Sequence, residues 1–271
     1  MKNIRSILSL SLISLSTLCL QADSLTGSGS LQSWSSSTLG SVASPTSGGP
    51  YWNNTSGDGA AYNIGWCMTG TGNCSIANPP GAVSYYGNGT SATSNIGFAG
   101  AGTAQVATLQ GLFTNQIGVP PPTGTDTFGW YSVNNGTITT NPLFSSTQAI
   151  GTTATFTPTT TYGFYLENVQ TAGLPAGQSA DYFFFMNDSL DYSSGAAAGA
   201  IDAGTQHFSV FSASNAYYFG IEDTSLNANP ISDLDYNDMI VKLQPSPEPA
   251  SIALMAGGMG LLGWLIRRRR A

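Results

Sequence analysis

Tyr217-Tyr218-Phe219-Gly220-Ile221-Glu222-Asp223, a turn-rich stretch, and then Asp233-Leu234-Asp235-Tyr236-Asn237-Asp238-Met239-Ile240-Val241-Lys242-Leu243 decide the fold of this 271-residue chain. Two runs of β-branched and aromatic residues, each too short for a stable helix, bracket an acidic turn segment. They read as two strands joined by a loop. The same texture recurs upstream in residues 152–156, 162–167, 182–186 and 207–211. Turn signals separate these runs, among them Leu174-Pro175-Ala176-Gly177 and the small residues 193–199. Short strands at this spacing predict an all-β fold, an antiparallel sandwich or jelly roll.

The pattern weakens toward the N-terminus. Residues 128–133 and 137–139 flank Asn134-Asn135-Gly136 and predict a hairpin. Residues 103–113 fit a helix or a strand equally well, and Pro120-Pro121-Pro122 interrupts the chain. From 51 to about 118 the reading is turns around isolated aromatics, and residues 23–50 are rich in Ser, Gly and Thr. No internal repeat appears, and one ectodomain over 23–246 is expected.

Charge is sparse: 8 % of residues are Asp, Glu, Lys or Arg, and between Arg5 and Arg267 the only basic residue is Lys242. An ectodomain so acidic has nothing with which to neutralise phosphates, which excludes nucleic acid and disfavours binding to an anionic membrane surface. Enzyme signatures are missing too. There is no Gly-x-Ser-x-Gly elbow, phosphate loop or dinucleotide fingerprint, and the single histidine, His207, falls inside a strand pattern. A non-enzymatic protein is expected; a secreted hydrolase built on paired carboxylates is the least supported reading.

Chemistry gathers at the acidic turns. Asp233, Asp235 and Asn237 alternate, so an extended segment points their oxygens to one side. Hard oxygens at that spacing suit Ca2+, which takes six to eight of them. Glu222, Asp223 and Asp238 would complete the shell. With Lys242 the only cationic side chain nearby in sequence, crowded carboxylates need another cation. The bland alternative is a solvated turn whose Asp and Asn side chains cap backbone groups. The Glu-Asp … Asp-x-Asp-Tyr-Asn-Asp order resembles a widespread extracellular domain of unknown function suspected of binding calcium; the resemblance covers about the C-terminal third. A second acidic group, Asp181, Asp188 and Asp191, is irregularly spaced around an apolar run and reads as solvated.

Both ends of the chain carry export features. Lys2 and Arg5 precede a serine-diluted apolar stretch, and Ala22 offers a small residue for cleavage, so 1–22 reads as a secretory signal peptide. At the other end Pro247-Glu248-Pro249 precedes an uncharged apolar run, 250–266, then Arg267-Arg268-Arg269-Arg270 and Ala271. As a helix the run is about 25 Å long, just enough to span a membrane, with the arginines cytoplasmic. This ending resembles the PEP-CTERM sorting signal of Gram-negative bacteria. The resemblance covers about a tenth of the chain. It implies that an exosortase-type transpeptidase processes an inner-membrane precursor and leaves the product at the cell surface or in the extracellular matrix. It also implies a setting rich in exopolysaccharide.

Cys19 leaves with the signal peptide, and Cys67 and Cys74 remain as an even pair in an oxidising compartment. No Cys-x-x-Cys or neighbouring histidine points to a metal, so a structural disulfide closing a short glycine-containing loop is expected. The expected role is structural or adhesive. The alternative is an exopolysaccharide-binding module in which Trp34, Trp52, Trp66 and Trp130 stack on sugars. Buried tryptophans would count against that alternative.

Overall fold

A computed structural model describes residues 23–34, 50–52, 63–70, 76, 83–88, 94–113, 124–171, 175–195, 205–224, 235–246 and 258. Among them are fourteen strands, all paired antiparallel in two seven-stranded sheets, a short α-helix and a turn of 3-10 helix at Asp188–Leu190. The expected all-β class is therefore what the chain adopts.

The first sheet contains β1 (Ser24–Thr26), β4 (Gly97–Ala99), β6 (Gly124–Asn134), β7 (Thr137–Ser145), β9 (Tyr162–Gln170), β10 (Ala180–Phe185) and β11 (Tyr192–Gly195). The second runs β2 (Ser30–Trp34), β3 (Val83–Gly87), β12 (Phe208–Ala213), β13 (Ala216–Ile221), β14 (Met239–Pro245), β5 (Gln105–Leu112), β8 (Thr153–Phe156). The ambiguous stretch 103–113 becomes β5, whose residues alternate between buried and half-buried along its length. A period of two gives a strand a packed face, which a helix would scatter around its axis.

Turn chemistry sets the hairpins. Asn135 and Gly136 join β6 to β7 with φ of 50° and 79°. Two successive positive φ values make the type I′ turn whose twist matches antiparallel strands. Ser214 and Asn215 do the same between β12 and β13, at 50° and 61°, without a glycine.

The inner faces share one core. Phe164 of the first sheet lies 4.8 Å, ring to ring, from Phe219 of the second, with Phe98 and Phe128 beside them. The second sheet is buried on both faces. Met239, Val241 and Leu243 enter the shared core, while Ile240 joins Trp34, Trp52, Ile64 and Phe211 on the outside. This explains the unbroken apolar run at 239–241, as expected of a strand covered on both sides.

Part of that outer cover is helical, where the sequence suggested only turns. Helix α1 (Ile64–Thr69) starts at Asn63, whose side chain accepts from the Gly65 N–H at 2.9 Å. It ends at Gly70, which has φ 73° and donates back to the Cys67 carbonyl. Six residues are too few for a helix stable on its own. Burial of Ile64, Cys67 and Met68 against the sheet holds it. Trp34 and Trp52 are interior residues and Trp66 and Trp130 are half-buried, so the four do not form an exposed row.

Several expectations fall outside the described residues: the signal peptide with Ala22, Cys74, Asp233, Pro247-Glu248-Pro249 and Arg267 to Arg270. The expected span 250–266 is also outside them, apart from Gly258. Among the described residues no helix is long and apolar enough to cross a membrane.

Candidate functional site

Strands β13 and β14 are neighbours, with Ile221 opposite Met239, so the residues just beyond them meet at one end of the second sheet. Glu222 and Asp223 leave β13 there and Asp238 enters β14. One carboxylate oxygen from each lies within 4.8 Å of the others. All three are buried, Glu222 completely. The Asp223 N–H donates to Asp238 Oδ2 at 2.9 Å, and the Thr224 hydroxyl donates to Asp223 Oδ1 at 2.7 Å. The Asp238 carbonyl accepts from Phe113 N at 3.0 Å, which ties the site to the end of β5.

Asp235 and Asn237 are placed differently from the expected comb of oxygens. Tyr236 has φ 58°, so the segment turns there. The Asn237 backbone and side-chain amides both donate to the Asp235 carboxylate, at 3.2 and 2.6 Å. The turn is held from below, because Ile64 N donates to the Asp235 carbonyl and the Tyr236 hydroxyl donates to the Gln206 carbonyl. Gly220 makes room for it: a Cβ there would collide with the Tyr236 carbonyl. Asp235 still adds its charge to the field at Asp238.

The first sheet contributes two residues that the motif does not contain. Asp126 near the start of β6 and Asn168 near the end of β9 are register partners, and both are buried. The Asn168 amide donates to Asp126 Oδ1 at 2.6 Å, while its own Oδ1 is buried without a hydrogen-bond partner. Asp126 in turn reaches Asp223. Burial, and then the Asp223 charge, push the Asp126 carboxyl up to about 8. Their mutual hydrogen bond raises Asp126 and lowers Asp223. Burial also raises Asp223 itself, and Asp238 is raised well above the carboxylate range by burial and then by Asp223, Glu222 and Asp235.

Both missed residues left a trace in the sequence. Asp126 continues the inward series of Phe128 and Trp130, and Asn168 continues that of Phe164 and Leu166. A polar side chain on the core-facing phase of a strand needs a buried partner.

The result is a buried set of hard oxygens from both sheets, the donor type that Ca2+ takes in preference to softer metals. Lys242 is turned elsewhere, with its ammonium 5.9 Å from the Tyr218 ring centre. Glu222, Asp223 and Asp238 are the side chains whose oxygens could hold a cation, with Asp126 hydrogen-bonded to Asp223 and Asp235 beside Asp238.

His207 borders this group. Its ring is fully buried, stacks on Phe184 at 3.9 Å and has Nδ1 3.2 Å from the Glu222 carbonyl oxygen. This is a packed position of the kind the strand pattern predicted. The group expected to be solvated is not. Asp188 and Asp191 are buried, and Asp191 Oδ1 accepts from the Phe185 N–H at 2.6 Å. Cys67 is buried in α1.

No protein-family model, curated protein or solved structure matches the chain.

Proposed function

We propose that this chain is an exported bacterial protein of the cell surface or extracellular matrix, with a structural or adhesive role. In this reading its two sheets pack as a β-sandwich of the jelly-roll kind, pinned at one end by a calcium ion. The observation that carries the reading is the buried carboxylate group drawn from both sheets, with Glu222, Asp223 and Asp238 oxygens within 4.8 Å. Four carboxylates in a dry space repel one another unless they hold protons or a cation. A divalent ion bound by Asp126 on one side and Glu222, Asp223 and Asp238 on the other would fasten the sheets together. Such a fastening suits a protein that works where calcium is plentiful, and it needs no catalytic group.

The ends of the chain supply the itinerary. The signal peptide 1–22 sends the chain out of the cytoplasm. The span 250–266 holds the precursor in the inner membrane, and an exosortase-type enzyme cuts near Pro247-Glu248-Pro249. Cys67 and Cys74 close a disulfide after export. The version of sugar binding that relied on a row of tryptophans loses support, because Trp34 and Trp52 are interior.

The test is a melt of the full chain with calcium and with excess chelator. Calcium is expected to raise the melting temperature of the native sequence and to do much less for Asp223→Asn. Equal melting of the native protein in both buffers overturns the reading.

A further inference from the structure

The first sheet turns Phe164, Leu166 and Phe184 into the shared core, so alternation sends Tyr165, Glu167, Phe183 and Phe185 to its other face. An antiparallel sheet ordinarily presents polar residues there. Here the face is aromatic: Tyr165 and Phe185 form a small cluster with Tyr131. Gly163 lets the Tyr131 ring lie close against the sheet, since a Cβ on it would come within 2.7 Å of that ring.

Register continues the face outward. Glu167, Phe183 and Tyr192 form one row across β9, β10 and β11, and Asp181 pairs with Ser194 in the next. The Phe183 and Tyr192 rings stack at 4.5 Å and 12°. Tyr192 is 40 % exposed, while Phe183, Glu167 and Asp181 are half-buried. The Ser194 hydroxyl donates to Asp181 Oδ2 at 3.3 Å, and Asp181 Oδ1 is buried without a hydrogen-bond partner. Glu167 feels the charge of Asp181, and Tyr192 feels both. The ectodomain's single lysine is over Tyr218 in the other sheet and balances neither.

We propose that this row is a binding platform for the amino-sugar units of a cationic polysaccharide. The C–H face of the pyranose rests on Tyr192 and its ammonium group lies between Glu167 and Asp181. A neutral sugar would leave two carboxylates partly desolvated and unmatched, and an anionic one would be repelled. A basic polypeptide supplies the cation on a flexible chain, without a rigid C–H face held beside it to cover the Phe183–Tyr192 pair. Cation–π attraction adds to the stacking. Asp126 and Asn168 point from the opposite face of the same sheet, so the platform is separate from the carboxylate group.

The test is titration of the full chain with a glucosamine oligosaccharide and with its fully N-acetylated counterpart. The free-amine oligomer is expected to bind about tenfold more tightly. Tyr192→Ala and Glu167→Gln should each weaken it about fivefold, and Tyr192→Trp should restore it. Val133→Ala, at a residue 47 % exposed on β6, should leave binding unchanged. Equal binding of the two oligomers overturns the proposal, as does binding indifferent to Tyr192 and Glu167. Polylysine capture that depends on those residues, without sugar binding, overturns it in favour of a basic protein partner. Unchanged melting of Tyr192→Ala separates lost binding from lost folding.

Discussion

Asp126→Asn separates a calcium ligand from a buried packing group. The change keeps the size of the side chain and an oxygen for the Asn168 amide, which now donates at 2.6 Å. It removes one negative charge from a group whose Glu222, Asp223 and Asp238 oxygens lie within 4.8 Å of one another. If the ion bridges the sheets, loss of this ligand should weaken binding by about 10- to 100-fold, by analogy with the loss of metal-supporting side chains. At calcium levels that saturate both forms this is about 1.4–2.7 kcal/mol. For a domain of this size each kcal/mol moves the melting temperature by about 2–4 °C, so the variant should melt about 3–11 °C lower. In chelator the sign reverses. There the folded Asp126 carboxyl, pushed up to about 8, has to take up a proton that the unfolded carboxyl released near 3.9, which at pH 7 costs about 4 kcal/mol, and the neutral Asn escapes that cost. Without calcium the variant should therefore melt at or above the native protein. Scanning calorimetry in the two buffers reads both numbers. An equal drop in calcium and in chelator refutes the bridge and leaves Asp126 as a packing residue.

Further outcomes follow from the same structure. In chelator the native protein should lose stability as pH rises from about 4 to about 8. Asp126 holds its proton to about 8 when folded, whereas an unfolded carboxyl releases it near 3.9. The folded state thus binds at least one extra proton in that window, and stability falls by at least about 1.4 kcal/mol per pH unit; a flat or rising profile in chelator melts counts against a buried protonated carboxyl. Gly220→Ala places a methyl group against the Tyr236 carbonyl, with Ile64 Cγ1 at 2.5 Å and Ser209 Oγ at 2.6 Å. It should cost about 1–3 kcal/mol by overpacking and reduce the calcium response, read by denaturant titration with and without the ion. Trp52→Ala opens the outer cluster between α1 and the second sheet and should cost about 3–5 kcal/mol in the same titration. Intact-mass measurement of the exported protein should show loss of residues 1–22 and 250–271, and a Cys67–Cys74 bond by its two-hydrogen deficit; recovery of 250–271 on the surface form refutes the sorting reading.

Local signals were readable where neighbours in sequence are also neighbours in space. Alternation and β-branched content marked β8, β9, β10, β12, β13 and β14, and Asn135-Gly136 marked the type I′ hairpin. The closeness of Glu222, Asp223 and Asp238 was legible because the strands they flank pair directly, with Ile221 opposite Met239. Tertiary structure decided the rest. Only the pairing of β6 with β9, and the packing of both sheets on Phe164 and Phe219, brings Asp126 and Asn168 to Asp223. The packing of Trp52 between α1 and the second sheet makes it interior. Sequence period reports which way a side chain faces on its own strand. Which other strand it meets depends on which apolar faces bury one another, a choice made among residues far apart in the chain.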